Sequence, residues 1–188
     1  MLKFKILSIL VASLALFTGC DNDSEDVASL FVGNFVISHA ETAATITIKT
    51  VEMGTVPVPE GFDITQAIQV SLFSSVDCST ADKSWVELRK DKSMYMSCER
   101  TNELNAGTWE EIDSKTLKLN MNNAAIPTSS TGFVLTVTDI ETSTTGLRGK
   151  TSIPLPKEMV ADLVAPLTLD ASTPPVMVVE FYLDFVKK

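Results

Sequence analysis

From residue 30 to the end of the chain one pattern recurs: short runs of alternating apolar and polar residues, each closed by turn formers. Alternation with a period of two marks a β-strand with one buried face, because successive side chains point to opposite sides of a sheet. Leu117, Leu119 and Met121 share one face, with Thr116, Lys118 and Asn120 on the other. Phe133, Leu135 and Val137 repeat the pattern, as do Met177, Val179, Phe181, Leu183 and Phe185. Such faces must be brought together, which limits the chain to sheets that pack on one another or close on themselves.

Strands are expected over residues 30–38 and 44–53, both rich in β-branched and aromatic types. A hairpin is expected from residues 85–89 and 94–98, with Asp91-Lys92 at its turn. A second joins 109–112 to 116–121 across Asp113-Ser114-Lys115. Further strands cover 133–137, 146–154 and 177–186. Residues 54–61 read as a loop, because alternating Pro57 and Pro59 cannot donate to a central ladder. Residues 64–73 fit two patterns. Ile64, Ala67, Ile68 and Leu72 form a helical face behind Asp63, whereas Ile68, Val70 and Leu72 alternate as a strand. A short helix is expected over 157–165, where Met159, Val160, Leu163 and Val164 recur at helical spacing before Pro166. Eight or so strands in a mostly antiparallel series indicate an all-β up-and-down barrel or a sandwich.

The first twenty residues follow a different logic. Lys3 and Lys5 precede an uncharged apolar run over residues 6–17, and the small pair Thr18-Gly19 comes just before Cys20. The run is too short to span a bilayer, which takes roughly 20 apolar residues, and reads instead as an export signal. Its ending resembles the lipobox of bacterial lipoproteins, with Phe17 where Leu is usual. That resemblance implies a signal peptide over residues 1–19 and lipid attachment at Cys20. The membrane is then held by lipid alone, and two acyl chains make such an anchor stable. Asp21, Asp23, Glu25 and Asp26 follow within a tether spanning residues 20–29. They repel one another and stay solvated, and they resemble the acidic export tags of some Gram-negative lipoproteins. The expected location is the cell envelope, on the outer membrane, periplasmic or surface-exposed.

The net charge is −9 and becomes more negative once Lys3 and Lys5 are removed. This argues against nucleic acid and against docking on anionic lipid, both of which need basic patches. Cys78 and Cys98 are the cysteines left beyond Cys20, and two cysteines in an exported chain are expected to pair. Closing a ring of about 20 residues stabilises by roughly 3 kcal/mol in the loop-entropy account. A turn that sets Lys90 opposite Ser93 would place Cys98 opposite Trp85.

Residues with catalytic chemistry are sparse. His39, the single histidine, lies at a strand end and reads as a surface residue. It has no cysteine or clustered carboxylates with which to form a zinc site. The sequence holds no Gly-x-Ser-x-Gly, no phosphate-cradling glycine loop and no Cys-x-x-Cys. Glu110 and Glu111 are adjacent on a strand, so they point to opposite faces and cannot act as one acid–base pair. The sequence asks for no cofactor, no metal and no enzymatic activity.

One stretch carries a further resemblance. Asp77-Cys78, residues 85–88, Asp91, Tyr95, Cys98, the Ala106-Gly107-Thr108-Trp109 run and residues 116–119 together resemble the lipocalin-like domain of bacterial lipoproteins. In that family a cysteine opens a loop, an Asp-(Gly/Lys)-x-x-Tyr hairpin follows, a second cysteine closes it, and Gly-x-Trp begins the next strand. Residues 30–35 are similar to the family's opening Leu-x-Gly-x-Trp strand. Phe35 stands in place of the Trp, and the last strand carries no arginine to stack on it. The resemblance implies an eight-stranded lipocalin-like β-barrel over residues 30–188. It also implies a small, mostly apolar ligand in the barrel mouth, with Met94, Met96, Trp109, Leu119, Phe133 and Phe181 as candidate lining residues. If those side chains instead fill the barrel, the expectation becomes an accessory lipoprotein that binds an envelope protein or glycan through its outer surface.

Overall fold

The computed structural model describes residues 29–73, 76, 78, 80, 83–122 and 132–188. Cys20, the signal and the acidic run 21–26 lie outside the described residues. Ten strands and two helices follow in the order β1 Gly33–Thr42, β2 Ile46–Thr50, β3 Gly54–Val58, α1 Thr65–Phe73, β4 Ser84–Leu88, β5 Ser93–Cys98, β6 Thr101–Asp113, β7 Thr116–Met121, β8 Phe133–Thr142, β9 Gly146–Pro156, α2 Lys157–Leu163 and β10 Val176–Lys187. Eight strands close in the order β1-β10-β9-β8-β7-β6-β5-β4, every pair antiparallel. Each barrel strand therefore neighbours its sequence neighbours in the series, which makes an up-and-down barrel.

Closure follows from the alternation. Val179, Phe181, Leu183 and Phe185 of β10 point inward, as do Leu147, Thr151, Ile153 and Leu155 of β9 and Leu117, Leu119 and Met121 of β7. Bending the sheet into a ring needs local irregularities. Gly107 supplies one: its φ is +137°, and a Cβ there would collide with the Asn120 carbonyl oxygen. Gly149 supplies space instead, since a Cβ would run into Val137 and Ile140 on β8 beside the bulge after Thr138.

The two ends of the barrel differ. Tight turns join β4 to β5, β6 to β7 and β8 to β9 at one end, where the chain also enters and β10 finishes. This end is a floor, closed from inside by Trp109 and by Phe31, which is wholly buried ahead of β1. The Trp109 indole N–H donates to the Arg89 carbonyl at 2.9 Å, and Lys92 Nζ lies 3.8 Å from the ring centroid. At the opposite end the β2–β3 hairpin, α1 and α2 form a roof. Ile48, Val58, Ile64, Ile68, Leu72, Phe73, Val160 and Val164 join the barrel core from these elements.

Several sequence expectations are corrected here. The strand expected at 44–53 is shorter and does not enter the barrel; β2 pairs only with β3, where residues 54–61 were expected to be loop. Pro57 is tolerated opposite Thr47 because a strand of a two-stranded sheet has a free edge for the missing donor. Residues 65–73 take the helical alternative, with Asp63 Oδ1 accepting from the Thr65 amide at 2.8 Å at its start. β6 begins at Thr101, well before the expected 109, and β8 runs on to Thr142 across its bulge. Cys98 lies opposite Ser84, not Trp85. The turn holds three residues, Lys90 to Lys92, with Arg89 accepting from the Lys92 amide at 3.0 Å and Lys92 at φ +66°. A type I turn closed by a left-handed residue gives this odd-length loop, which moves the pairing by one.

Candidate functional site

All six candidate lining residues face the interior. Met94 and Phe181 have no accessible surface, Trp109 keeps 2%, Met96 and Leu119 are buried, and Phe133 is half-buried at the roof end. Their neighbours Val137, Ile153, Leu155, Val179 and Leu183 are also at 0%. A side chain lining even a sealed cavity wide enough for water would carry accessible surface, so the positions at 0% are in van der Waals contact with protein on every side. The barrel is filled along this column. Trp109 belongs to the floor rather than to a mouth.

The disulfide lies at the roof. Cys78 and Cys98 are bonded, with Cα atoms 5.3 Å apart. The Cys78 carbonyl accepts from Gln69 Nε2 of α1 at 2.8 Å, and Lys83 pairs with Glu99 at 2.6 Å beside the β5–β6 turn. The bond therefore ties the segment leaving α1 to the end of β5, a structural task.

The outer wall holds two polar constellations. On one side Arg148 of β9 reaches Glu41 of β1 and Asp184 of β10, the latter at 2.6 Å, and its guanidinium lies 4.5 Å from the Tyr182 ring centroid. The hydrogen bond from Arg148, ahead of all other causes, holds the Glu41 carboxyl below its ordinary range. His39 is 40% exposed, with Nε2 3.4 Å from Glu41 and Nδ1 3.4 Å from the Thr65 hydroxyl. Among the described residues, no three of His, Cys, Asp and Glu are grouped to hold a metal. Glu110 is exposed beside Lys118, while Glu111 lies half-buried opposite Leu117 on the other face.

The second constellation is a groove of about 210 Å³ across β1, β4, β5 and β6, lined by Asn34, Trp85, Glu87, Tyr95, Ser97, Arg100 and Glu103. Its floor is aromatic. Arg89 lies 3.8 Å from the centroid of Tyr95, and Arg100 lies 4.3 Å from that of Trp85. Arg89 also binds Glu87 at 2.7 Å and Glu103 at 3.0 Å, and its hydrogen bond holds the Glu87 carboxyl below the usual carboxylate range. None of these positions is among the candidate residues read from the sequence. The signal was present: Trp85 precedes inward Val86, and Tyr95 lies between inward Met94 and Met96. Two large rings on the polar phase of adjacent strands must stand on the outer wall.

No family model, curated protein or solved structure matches the chain.

Proposed function

We propose that this chain is a lipid-anchored envelope lipoprotein with a lipocalin-like barrel that is filled, non-enzymatic, and works through its outer wall. The single observation behind the choice is the interior column of side chains without accessible surface, Met94 and Phe181 among them. An eight-stranded barrel is just wide enough to be filled by side chains or to hold one small ligand, and here the former geometry prevails along the column. The outer groove supplies what a recognition surface needs: half-exposed Trp and Tyr with arginines beside them, the residue types that dominate binding hot spots. The partner in this reading is an envelope protein or glycan. Support for the lipocalin-like reading comes from the floor. Lys187 near the end of β10 has its Nζ 6.0 Å from the Phe35 ring centroid, resembling the stack expected there from Trp and Arg.

The ligand-binding alternative draws on Met94, Met96 and Met121, which line the interior and adapt readily to varied shapes. Two measurements separate the readings. Native mass spectrometry of protein extracted from the envelope should show no stoichiometric small molecule. A photo-crosslinking side chain at Tyr95 should give a discrete adduct in cells, whereas one at outward-facing Thr136 should not. A bound apolar molecule, or equal adducts at both positions, would replace this reading. For the anchor, Cys20→Ser should abolish acylation and release the protein from membranes.

A further inference from the structure

The cations are unevenly placed. Lys83, Arg89, Lys118, Arg148 and Lys150 are each within 4.0 Å of a carboxylate, while three cations toward the roof, Lys49, Arg100 and Lys157, have none that close among the described residues. The floor's turns and chain end carry Lys90, Lys92, Lys115, Lys187 and Lys188, all exposed and none with a carboxylate partner among the described residues. Lys92 and Lys187 lie instead over Trp109 and Phe35. The carboxylates in the same turns are Asp91 and Asp113, each accepting a backbone amide of its own turn, from Ser93 at 3.0 Å and from Lys115 at 2.7 Å; exposed Asp139 and Glu141 flank Ile140, whose amide bonds to the Lys115 carbonyl. Two large apolar side chains stand among these cations, Leu30 at 60% exposure and Ile112 at 53%. They lie on opposite sides of the rim, Leu30 in a cleft with Lys187 and the β8–β9 turn, Ile112 at the end of β6.

The described chain begins at Ser29 on this same end. From Cys20 to Ser29 an extended chain reaches only about 30 Å at roughly 3.3–3.6 Å per residue. A lipid at Cys20 would keep this end within that reach of the bilayer. We propose that the floor is a membrane-docking face, its lysines without a carboxylate partner among the described residues drawn to the net negative charge of anionic phospholipid headgroups while Leu30 and Ile112 enter the interface. Long lysine stems suit this, since they cover apolar surface while the ammonium stays wet. The inference rests on the lipid-anchor reading and adds an orientation: roof and disulfide face away from the membrane. The whole-chain charge opposes anionic surfaces, so the attraction is local, within a Debye length of about 8–10 Å.

The test uses the full acylated protein on vesicles of phosphatidylethanolamine and phosphatidylglycerol, labelled with a membrane-impermeant amine reagent and read by peptide mass spectrometry. Relative to detergent micelles, labelling of Lys90 and Lys115 should fall by roughly fivefold, the scale of one lysine's attraction to an anionic surface. Exposed Lys49 on the roof should be unchanged. Equal labelling of both ends on protein that floats with the vesicles would overturn the docking face and leave the anchor standing. Protein that fails to float would overturn the anchor reading and this inference with it. Protection undiminished on phosphatidylcholine vesicles would overturn the part given to the lysines.

Discussion

At the floor of the barrel the strands are joined by turns of a few residues, whereas at the roof residues 43–73 and 157–175 lie outside the barrel strands and fold over their end. The floor is built from local instructions: Asp91 and Asp113 cap their own turns, and Trp109 bonds to the turn beside it. The roof is built from distant partners. The Val51 amide donates to the Thr168 carbonyl at 2.9 Å, the Asp170 amide to the Lys49 carbonyl at 3.0 Å, and Ser71 Oγ of α1 meets Met159 Sδ of α2 at 3.1 Å. Local closure makes the floor the more cooperative region. The roof, made of long loop closures, is the region where partial opening is expected.

The largest effect that would break this contrast is at Trp109. Trp109→Ala empties the floor and removes one of the two donors to the Arg89 carbonyl, the Lys92 amide remaining, and should cost about 3–5 kcal/mol in one cooperative urea transition. A loss under about 1 kcal/mol would show that the floor does not hold the barrel. Removing the disulfide with Cys78→Ala and Cys98→Ala should cost about 2–5 kcal/mol, toward the lower end. Here hydrogen exchange should show α1 amides losing protection before those of β7 to β9; uniform loss would make roof and barrel one unit.

Thr42 joins the two regions. It is wholly buried at the end of β1, donating to the Pro59 carbonyl at 2.6 Å and accepting from the Phe62 amide at 3.0 Å. Thr42→Val keeps the shape and removes both bonds, leaving the Phe62 amide and the Pro59 carbonyl only their 3.3 Å bond to each other, so stability should fall by about 0.5–1.5 kcal/mol. An unchanged midpoint would mean that the roof is held by apolar packing alone.

The smallest effect is at the wall, where Arg148 links β1, β9 and β10. Because the Glu41 carboxyl is held below its unfolded value, its contribution is present above the ordinary Glu range and lost as pH falls through its folded pKa. At this half-exposed site the contribution is of order 1 kcal/mol or less. Arg148→Met should flatten the acid limb of the stability curve below about pH 5; an unaltered limb would remove the linkage.

Much of the barrel was legible because alternation is a local signal. The phases of β7, β8 and β10 match the inward faces, as do those of Val86 and Leu88 on β4. The same parity could have corrected the β4–β5 register: Val86 and Leu88 point inward with Met94 and Met96, so inward residues face each other only if the loop has three residues. The groove was legible in part, through Trp85 and Tyr95 on the polar phase. Its arginines were not, since Arg89 and Arg100 reach their rings and carboxylates across strands whose separation in space no sequence interval records.

The sequence by itself determined the strand phases, the helical and hairpin punctuation and a pair of cysteines, all set by neighbours within a few residues. Only the tertiary structure decided which strands close the ring and that β2 and β3 leave it for the roof. It also decided that Met94 and Phe181 are buried without accessible surface and that, among the described residues, five lysines without a carboxylate partner gather on one end of an acidic chain. The physical reason is that ring closure, cavity volume and charge clustering are properties of distances between residues far apart in sequence. Alternation fixes which way a side chain points, and not what it meets.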